Sequence, residues 1–422
     1  MDPAAVELLL SQRGSDLLAT LPPYEESRAL ALSQRLRDDG VEPALAAAAL
    51  TQSRLRARAV TKLGERAASM LFTQAGLEQA TRAPVAALHA QRYASAGLHH
   101  VADLTAGIGT DALALAAAGL RVTACEIDGA TALVAGHNLR DHPRADVVHG
   151  DGLDLDLAGR GVDGVYADPA RRTRSGARVF DPRSYRPPLD AVWALRDRVP
   201  AVGIKVGPGI PHQGLPEDAE VEWVSVDGDV VEAALWFGPL APRGPALSAT
   251  VLRHGPEGLR RAHLQGTEPS STPSTVSGPQ DLGPCLFEPD GAVIRAGLVG
   301  PLAEEHGARL LDPTIAYLTG DGPAPEVDGV PVASAYRVLD VMPFHLKRLK
   351  AYLRERGVGA LTVKKRGTAV VPEELRSRLA LSGPASATVV LTRVAGSQQV
   401  LVVEPVLEPS RSPSPRSPEE VR

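Results

Sequence analysis

Val101-Ala102-Asp103-Leu104-Thr105-Ala106-Gly107-Ile108-Gly109-Thr110-Asp111 is the stretch on which the reading of this 422-residue chain turns. An apolar run from Leu98 ends in an acid, two glycines follow, and the Ala-rich segment 112–118 resumes with helical character. The pattern predicts a strand, a glycine loop and a helix. Lacking a Cβ, Gly107 and Gly109 allow backbone conformations and a close ligand approach that other residues obstruct, which suits a loop packed against a nucleoside cofactor.

The glycines alone fit two cofactors. Gly107, Gly109 and Ala112 satisfy the G-x-G-x-x-[GA] dinucleotide pattern, and Glu126 follows at about the ribose-acid spacing, so NAD and oxidoreductase chemistry stand as one reading. Asp103 separates the two. At the end of a strand its carboxylate can meet a cationic amino group or a water, and S-adenosylmethionine carries such an amino group whereas NAD does not. Asp103-x-x-x-Gly107-x-Gly109 resembles motif I of class I methyltransferases, which places Thr105 in the cofactor loop as well.

Outward from this loop, residues 98–240 alternate in the manner of an open parallel α/β sheet, with strands expected at 98–103, 120–126, 145–149, 162–168 and 201–206. Two further strands, 221–226 and 230–237, flank Asp227-Gly228-Asp229, a hairpin-turn sequence. In such sheets ligands bind beyond the carboxyl ends of the strands, and acids fall there: Asp103, Glu126, Asp151 and Asp168. Glu126 is placed to accept both ribose hydroxyls and Asp151 the adenine amino group, while Asp128 caps the following helix. Gly152 reads as a turn residue.

Asp168-Pro169-Ala170-Arg171 occupies the place of methyltransferase motif IV, an Asp or Asn, two prolines and an aromatic in amine methylases. Methyl transfer is an in-line displacement from a sulfonium, so the acceptor must present a lone pair. A carboxylate and a backbone carbonyl at Asp168 and Pro169 would orient an exocyclic amine and favour charge developing on its nitrogen. Here Ala170 and Arg171 replace the second proline and the stacking ring. Arg171, Arg172, Arg174, Arg178, Arg183 and Arg186 follow, and guanidinium groups stack on bases or bind phosphate, so Arg171 and Arg172 are expected to hold substrate. A covalent route to a pyrimidine carbon needs a cysteine nucleophile, and neither Cys125 nor Cys285 is placed for it. Lys205, ending the fifth strand, suits either a phosphate or a nearby acid.

Residues 1–95 read as a helical domain broken near Pro22-Pro23, Gly40 and Pro43, with a basic run of Arg54, Arg56, Arg58, Lys62 and Arg66 suited to a solvated face or a phosphate contact. Gln79 and Thr81, just ahead of a helix starting at Pro84, are candidates for the cofactor mouth, with helix capping the alternative for Thr81. The methyltransferase domain is expected at 96–262, a Ser/Thr/Pro/Gly-rich linker at 263–283, a small α+β domain at 284–407 and a disordered tail at 408–422. Within the last domain a helix at 344–355 carries Lys347, Arg348, Lys350 and Arg354 opposite Leu346, Leu349 and Leu353. Lys364, Lys365 and Arg366 follow on a strand end, a second basic element suited to nucleic acid.

Net charge is −5, so any nucleic-acid contact must be local. Two cysteines provide neither a disulfide framework nor a zinc set and suit a reducing cytoplasm; no metal is expected. No apolar run reaches membrane-span length, and Met1-Asp2-Pro3 lacks a basic leader region. Taken together, Glu78-Gln79-Ala80-Thr81, the Asp103 to Gly109 loop, Asp168-Pro169-Ala170-Arg171 and Leu361-Thr362-Val363-Lys364-Lys365-Arg366-Gly367 resemble the bacterial class I methyltransferases that carry a C-terminal THUMP-like domain. The resemblance implies a Rossmann-like S-adenosylmethionine-binding core with a small ferredoxin-like α+β appendage. It points to methylation of a nucleobase nitrogen in tRNA or rRNA. Methylation of a protein or small molecule, and non-catalytic RNA binding on a retained fold, are the alternatives.

Overall fold

The computed structural model describes residues 3–171, 185–266 and 273–406, with Arg171 described by its backbone alone. Arg172, Arg174, Arg178 and Arg183 lie outside the described residues, as does the tail expected at 408–422. The chain divides into two compact units, Met1–Glu220 with Ala233–Pro245, and Val221–Glu232 with Ala246–Arg422. Composition, which marks loops rather than strand partners, places its boundaries at other positions.

The first unit opens with helices α1 (Pro3–Leu10), α2 (Gln12–Thr20), α3 (Ala29–Asp38) and α4 (Pro43–Leu63), interrupted at the expected breaks. Pro43 starts α4, where its missing N–H would have had no helical partner. The α4 residues Leu45, Ala49, Leu55, Ala59 and Leu63 turn inward onto Val6 and Leu9 of α1. Helices α5 (Gln74–Gln79) and α6 (Ala83–Ser95) complete this block.

Between α4 and α5 the chain passes through Leu71 and Phe72, both fully buried, with no strand paired to them among the described residues. Side-chain amides stand in for one. Gln52 accepts the Phe72 N–H at 2.9 Å and donates to the Phe72 carbonyl at 2.7 Å. Asn138 accepts from Leu71 N–H at 2.8 Å and donates to the Leu71 and Ile108 carbonyls at 3.0 and 2.8 Å. Buried backbone polar groups need such partners, and these two side chains supply them.

The sheet follows: β1 (His100–Asp103), α7 (Thr110–Ala117), β2 (Arg121–Glu126), α8 (Gly129–Leu139), β3 (Ala145–His149) and β4 (Gly164–Ala167). After β4 come a two-residue ladder of β5 (Ala170–Arg171) with β6 (Tyr185–Arg186), then α9 (Leu189–Trp193) and β7 (Ala201–Val206). The strands stand in the order β3, β2, β1, β4, β7, every pair parallel. Residues 233–237, the end of β9 (Asp229–Phe237), add antiparallel to β7. The order reverses between β1 and β4, which opens a crevice at their carboxyl ends. Val101, Val122, Tyr166 and Trp236 share one core with Leu9, Leu55 and Tyr93 of the helical block, and the Tyr93 hydroxyl donates to the Val165 carbonyl at 2.5 Å.

In the second unit β8 (Glu220–Val226) leads into the expected turn, where Asp227 and Gly228 take φ of 52° and 94°. β10 (Ala246–Gly255) pairs antiparallel with β11 (Gly258–Gly266), which extends into the segment composition assigned to a linker. Further along that segment Val276 is buried and its N–H bonds the Leu310 carbonyl at 3.0 Å. Pro289-Asp290-Gly291 resembles a turn but starts a helix, because the Asp290 carboxylate accepts the Ala292 N–H at 2.9 Å. The remaining elements are β12 (Cys285–Pro289), α10 (Gly291–Arg295), α11 (Val299–Glu305), β13 (Arg309–Asp312), β14 (Ile315–Gly320), β15 (Glu326–Val327), β16 (Val330–Pro331), β17 (Ala333–Pro343), α12 (Leu346–Glu355), β18 (Val358–Lys365), α13 (Pro372–Leu379), β19 (Ala385–Val394) and β20 (Ser397–Pro405). Seven of them form a sheet in the order β13, β14, β12, β17, β20, β19, β18. On α12, Leu349 and Leu353 are buried while Lys347, Arg348 and Arg354 are exposed.

Candidate active site

The loop between β1 and α7 is shaped by backbone geometry. Gly107 and Gly109 have φ of 54° and 85°, a region that costs residues with a Cβ, and a Cβ at Gly107 would meet nothing within 4 Å. The glycines are therefore set by conformation rather than by crowding from neighbouring atoms. Three hydrogen bonds pin the loop: Leu104 N–H to the Tyr166 carbonyl at 2.9 Å, Ala106 N–H to the Cys125 carbonyl at 2.9 Å, and Gly109 N–H to the Ala106 carbonyl at 2.8 Å.

A pocket opens above this loop, at the carboxyl ends of the strands. Its wall includes Gln79, Thr81, Thr105, Gly107, Asp111, Glu126, Ile127, Asp151, Asp168 and Arg186. Gly152, which reads in sequence as a turn, is a close-approach position: a Cβ there would stand 2.4 Å from the Leu104 carbonyl oxygen. Glu126 takes the Gly107 N–H on one carboxylate oxygen and the Asp128 N–H on the other, each at 2.9 Å. A carboxylate has about four lone-pair positions, so capacity for two hydroxyls remains. Asp151 accepts the Leu153 N–H at 3.0 Å, and Asp128 caps α8 through Thr131 N–H at 2.9 Å. Ile127 is an apolar side chain with 52% exposure at the pocket, suited to lie against a flat ring.

Asp103 ends β1 as expected but does not line the pocket. It is 1% exposed and stands behind the wall, with its carboxyl accepting the Thr105 N–H at 3.2 Å. Burial, reinforced by the charge of Asp111, holds its proton well above the usual carboxylate range. Of the two acids flanking the glycine loop, the one that lines the pocket is Asp111. Burial pushes its pKa up, but the hydrogen bond and charge of His89, with Lys205 and Thr81, more than offset this and lower it. His89 Nδ1 lies 2.8 Å from Asp111 Oδ1, and the Thr81 hydroxyl donates to Asp111 Oδ2 at 2.6 Å. Thr81 is thus a wall residue rather than the cap of α6, whose N-cap is Arg82. Sequence reading passed over Asp111 because it follows the glycines inside an apparent helix start, where an acid is ordinary.

Asp168 lines the pocket as well, with Lys205 behind it. Lys205 Nζ is 2.5 Å from Asp168 Oδ2, which decides between the two sequence readings of this lysine in favour of the acid. Thr105 Oγ1 accepts the Asp168 N–H at 2.6 Å, joining the glycine loop to the acid after β4, while Pro169 is buried. Arg186 reaches the pocket wall because Ala170 pairs with it in the short ladder.

The basic run in α4 is only partly solvated. Arg56 donates to the Met70 carbonyl at 2.9 Å, and Lys62 donates to the Leu77 and Glu78 carbonyls at 2.9 and 2.7 Å, holding the end of α5 next to the wall. In the second unit Lys364 and Arg366 are tied to Glu288 at 2.7 and 3.4 Å and lie over the rings of Tyr336 and Tyr317; Lys365 is exposed. The pair-forming cations were read from sequence as substrate contacts because their partner, Glu288, lies far away along the chain.

The parallel order, the glycine loop and the acids beyond the strands define a Rossmann-like class I methyltransferase fold. A THUMP domain-like family matches residues 333–405, and a domain of unknown function matches residues 2–59. Over 371 residues the chain is 36% identical to uncharacterized S-adenosylmethionine-dependent methyltransferases of two Mycobacterium tuberculosis strains, covering 85% of this chain and 95% of theirs. A crystal structure described as a methyltransferase from Porphyromonas gingivalis has a TM-score of 0.68 at 23% identity, covering 90% of this chain and 99% of that one. The chain belongs to the S-adenosylmethionine-dependent methyltransferases. Among the described residues no helix is long and apolar enough to cross a membrane, and no group of three or more His, Cys, Asp or Glu side chains could hold a metal.

Proposed function

We propose that this methyltransferase acts in the cytoplasm on a nucleobase nitrogen of tRNA or rRNA. The observation that carries the reading is the Asp168 carboxylate on the wall of a pocket that Arg186 also lines, in a chain that also carries a THUMP domain-like region. S-adenosylmethionine, when bound, supplies a sulfonium methyl group. Glu126 receives the ribose hydroxyls, Asp151 the adenine amino group, and Ile127 packs on the adenine ring. Asp111, kept ionised and facing the pocket, meets the cofactor's ammonium group. Asp103 supports the loop from behind through Thr105, and Gly107 and Gly109 give it its path.

Asp168 accepts a hydrogen bond from the acceptor's N–H, with the Pro169 carbonyl as a second acceptor, which orients the nitrogen lone pair and favours positive charge building on it. Arg171 and Arg186, at the two ends of the short ladder, hold the nucleotide, and Lys365 contributes to a separate RNA-binding surface with Lys364 and Arg366 behind it. The test is transfer of labelled methyl groups into total RNA from a strain lacking the protein, followed by nucleoside mass spectrometry. Incorporation into one methylated nucleoside supports the reading. Cofactor binding with no label in RNA refutes it and directs the assay to proteins and metabolites.

A further inference from the structure

We propose that Lys205 is a positioning residue for methyl transfer, its ammonium holding Asp168 as an oriented carboxylate at the acceptor end of the pocket. This rests on the reading of Asp168 as the acid that receives the acceptor's N–H. β4 and β7 are parallel neighbours with Ala167 opposite Ile204, so Asp168, the first residue past β4, stands beside Lys205, which is still within β7. The side chain of Lys205 is 14% exposed and that of Asp168 32%, and of the two only Asp168 lines the pocket. The ammonium therefore backs the carboxylate and acts through it.

The directions of the hydrogen bonds are fixed by proton count. The Thr81 hydroxyl has one hydrogen, which goes to Asp111 Oδ2 at 2.6 Å, so toward Lys205 Nζ, at 3.3 Å, it acts as an acceptor. Lys205 thus donates to Thr81 on the cofactor side and to Asp168 on the acceptor side. The main chain of Asp168 is fixed independently by Thr105 Oγ1. Among the described residues, the charged or titratable groups near this pair include Asp103 from β1, Asp111 and its partner His89 and, on the Lys205 side, Lys62 from α4, with Arg186 from β6 on the same pocket wall as Asp168.

In the transfer step the acceptor nitrogen forms the new N–CH3 bond as the S–CH3 bond breaks and sulfur keeps its electron pair. The surplus N–H proton passes to the Asp168 carboxylate and from there to water. A carboxylate paired with an ammonium accepts the N–H hydrogen bond throughout and releases the proton readily afterward. Without Lys205 the carboxylate loses the charged hydrogen bond that fixes its orientation toward the acceptor nitrogen.

The test compares wild type with Lys205→Met and Lys205→Arg, using the full chain with 13C-labelled aspartate and Asp168→Asn to assign the Asp168 carboxyl signal. The expected result is an Asp168 titration midpoint raised by about one pH unit or more in Lys205→Met and restored in Lys205→Arg. The acidic limb of methyl transfer to total RNA moves by the same amount. An unchanged Asp168 midpoint in Lys205→Met overturns the proposal. Should that variant not fold, Lys205→Gln is read in its place by the same criterion. A shifted midpoint with no wild-type transfer to RNA leaves the positioning role standing and refutes the RNA reading instead.

Discussion

Replacing Asn138 by leucine tests how the cofactor loop is held. The substitution removes three buried hydrogen bonds, two to Leu71 and one to the Ile108 carbonyl between the two motif glycines. Asn138 is 5% exposed and the Leu71 it serves is fully buried, so water does not readily replace the lost partners. Taking the low end of the cost of an unsatisfied buried polar group for each of the three gives about 3 kcal/mol of lost stability. For a domain of this size that corresponds to a fall in melting temperature of roughly 6–12 °C. The loop feels chiefly the Ile108 bond, and about 1 kcal/mol there raises the S-adenosylmethionine Kd roughly fivefold. Calorimetric melting and isothermal titration of the cofactor read the two quantities separately. A variant that melts within roughly 2 °C of wild type, on the same scaling, refutes the clamp.

Gly152→Ala drives a methyl group into the Leu104 carbonyl, costs about 1–3 kcal/mol as overpacking, and weakens cofactor binding more than tenfold by titration calorimetry. Asp168→Ala keeps cofactor affinity and loses at least about a hundredfold in labelled transfer, whereas Asp103→Ala weakens cofactor binding; unchanged transfer in the first would remove Asp168 from the reaction. Asp103→Asn tests the raised pKa. The folded state binds the Asp103 proton more tightly than the unfolded chain, so the wild type loses stability as pH rises from the ordinary carboxylate value toward the raised one. The asparagine variant lacks that loss and should melt above wild type at pH 8 but not at pH 4; equal melting curves at both would contradict the assignment. Asp111 has the opposite sign, contributing stability above the ordinary carboxylate range that is lost as pH falls through its lowered pKa, so Asp111→Asn should narrow its deficit in melting temperature on acidification.

The sheet was legible in the sequence because its cues are local. Short apolar runs bounded by acids or glycines place β1, β2, β3, β4 and β7 within a few residues, and Pro43 and Pro84 mark helix starts. The side chains that complete the pocket were less legible because their partners are distant in sequence. Asp111 and His89 are 22 residues apart and Thr81 and Asp111 are 30 apart, and no periodicity links them. Lys205 and Asp168, 37 residues apart, are brought together by strand order, which the sequence implied without deciding what the lysine contacts. Asp103 shows the reverse failure. An acid at a strand end reads as a ligand, but four consecutive buried residues in β1 carry it below the surface, where burial raises its pKa.

Because Thr81, His89, Tyr93 and the Leu71–Phe72 strip belong to the first hundred residues, the leading helices are no detachable accessory. Cutting the gene at the start of β1 to obtain a minimal catalytic fragment would remove one wall of the cavity and strip the sheet of part of its core. The shortest useful expression clone therefore retains the helical block, and the economical place to trim lies elsewhere.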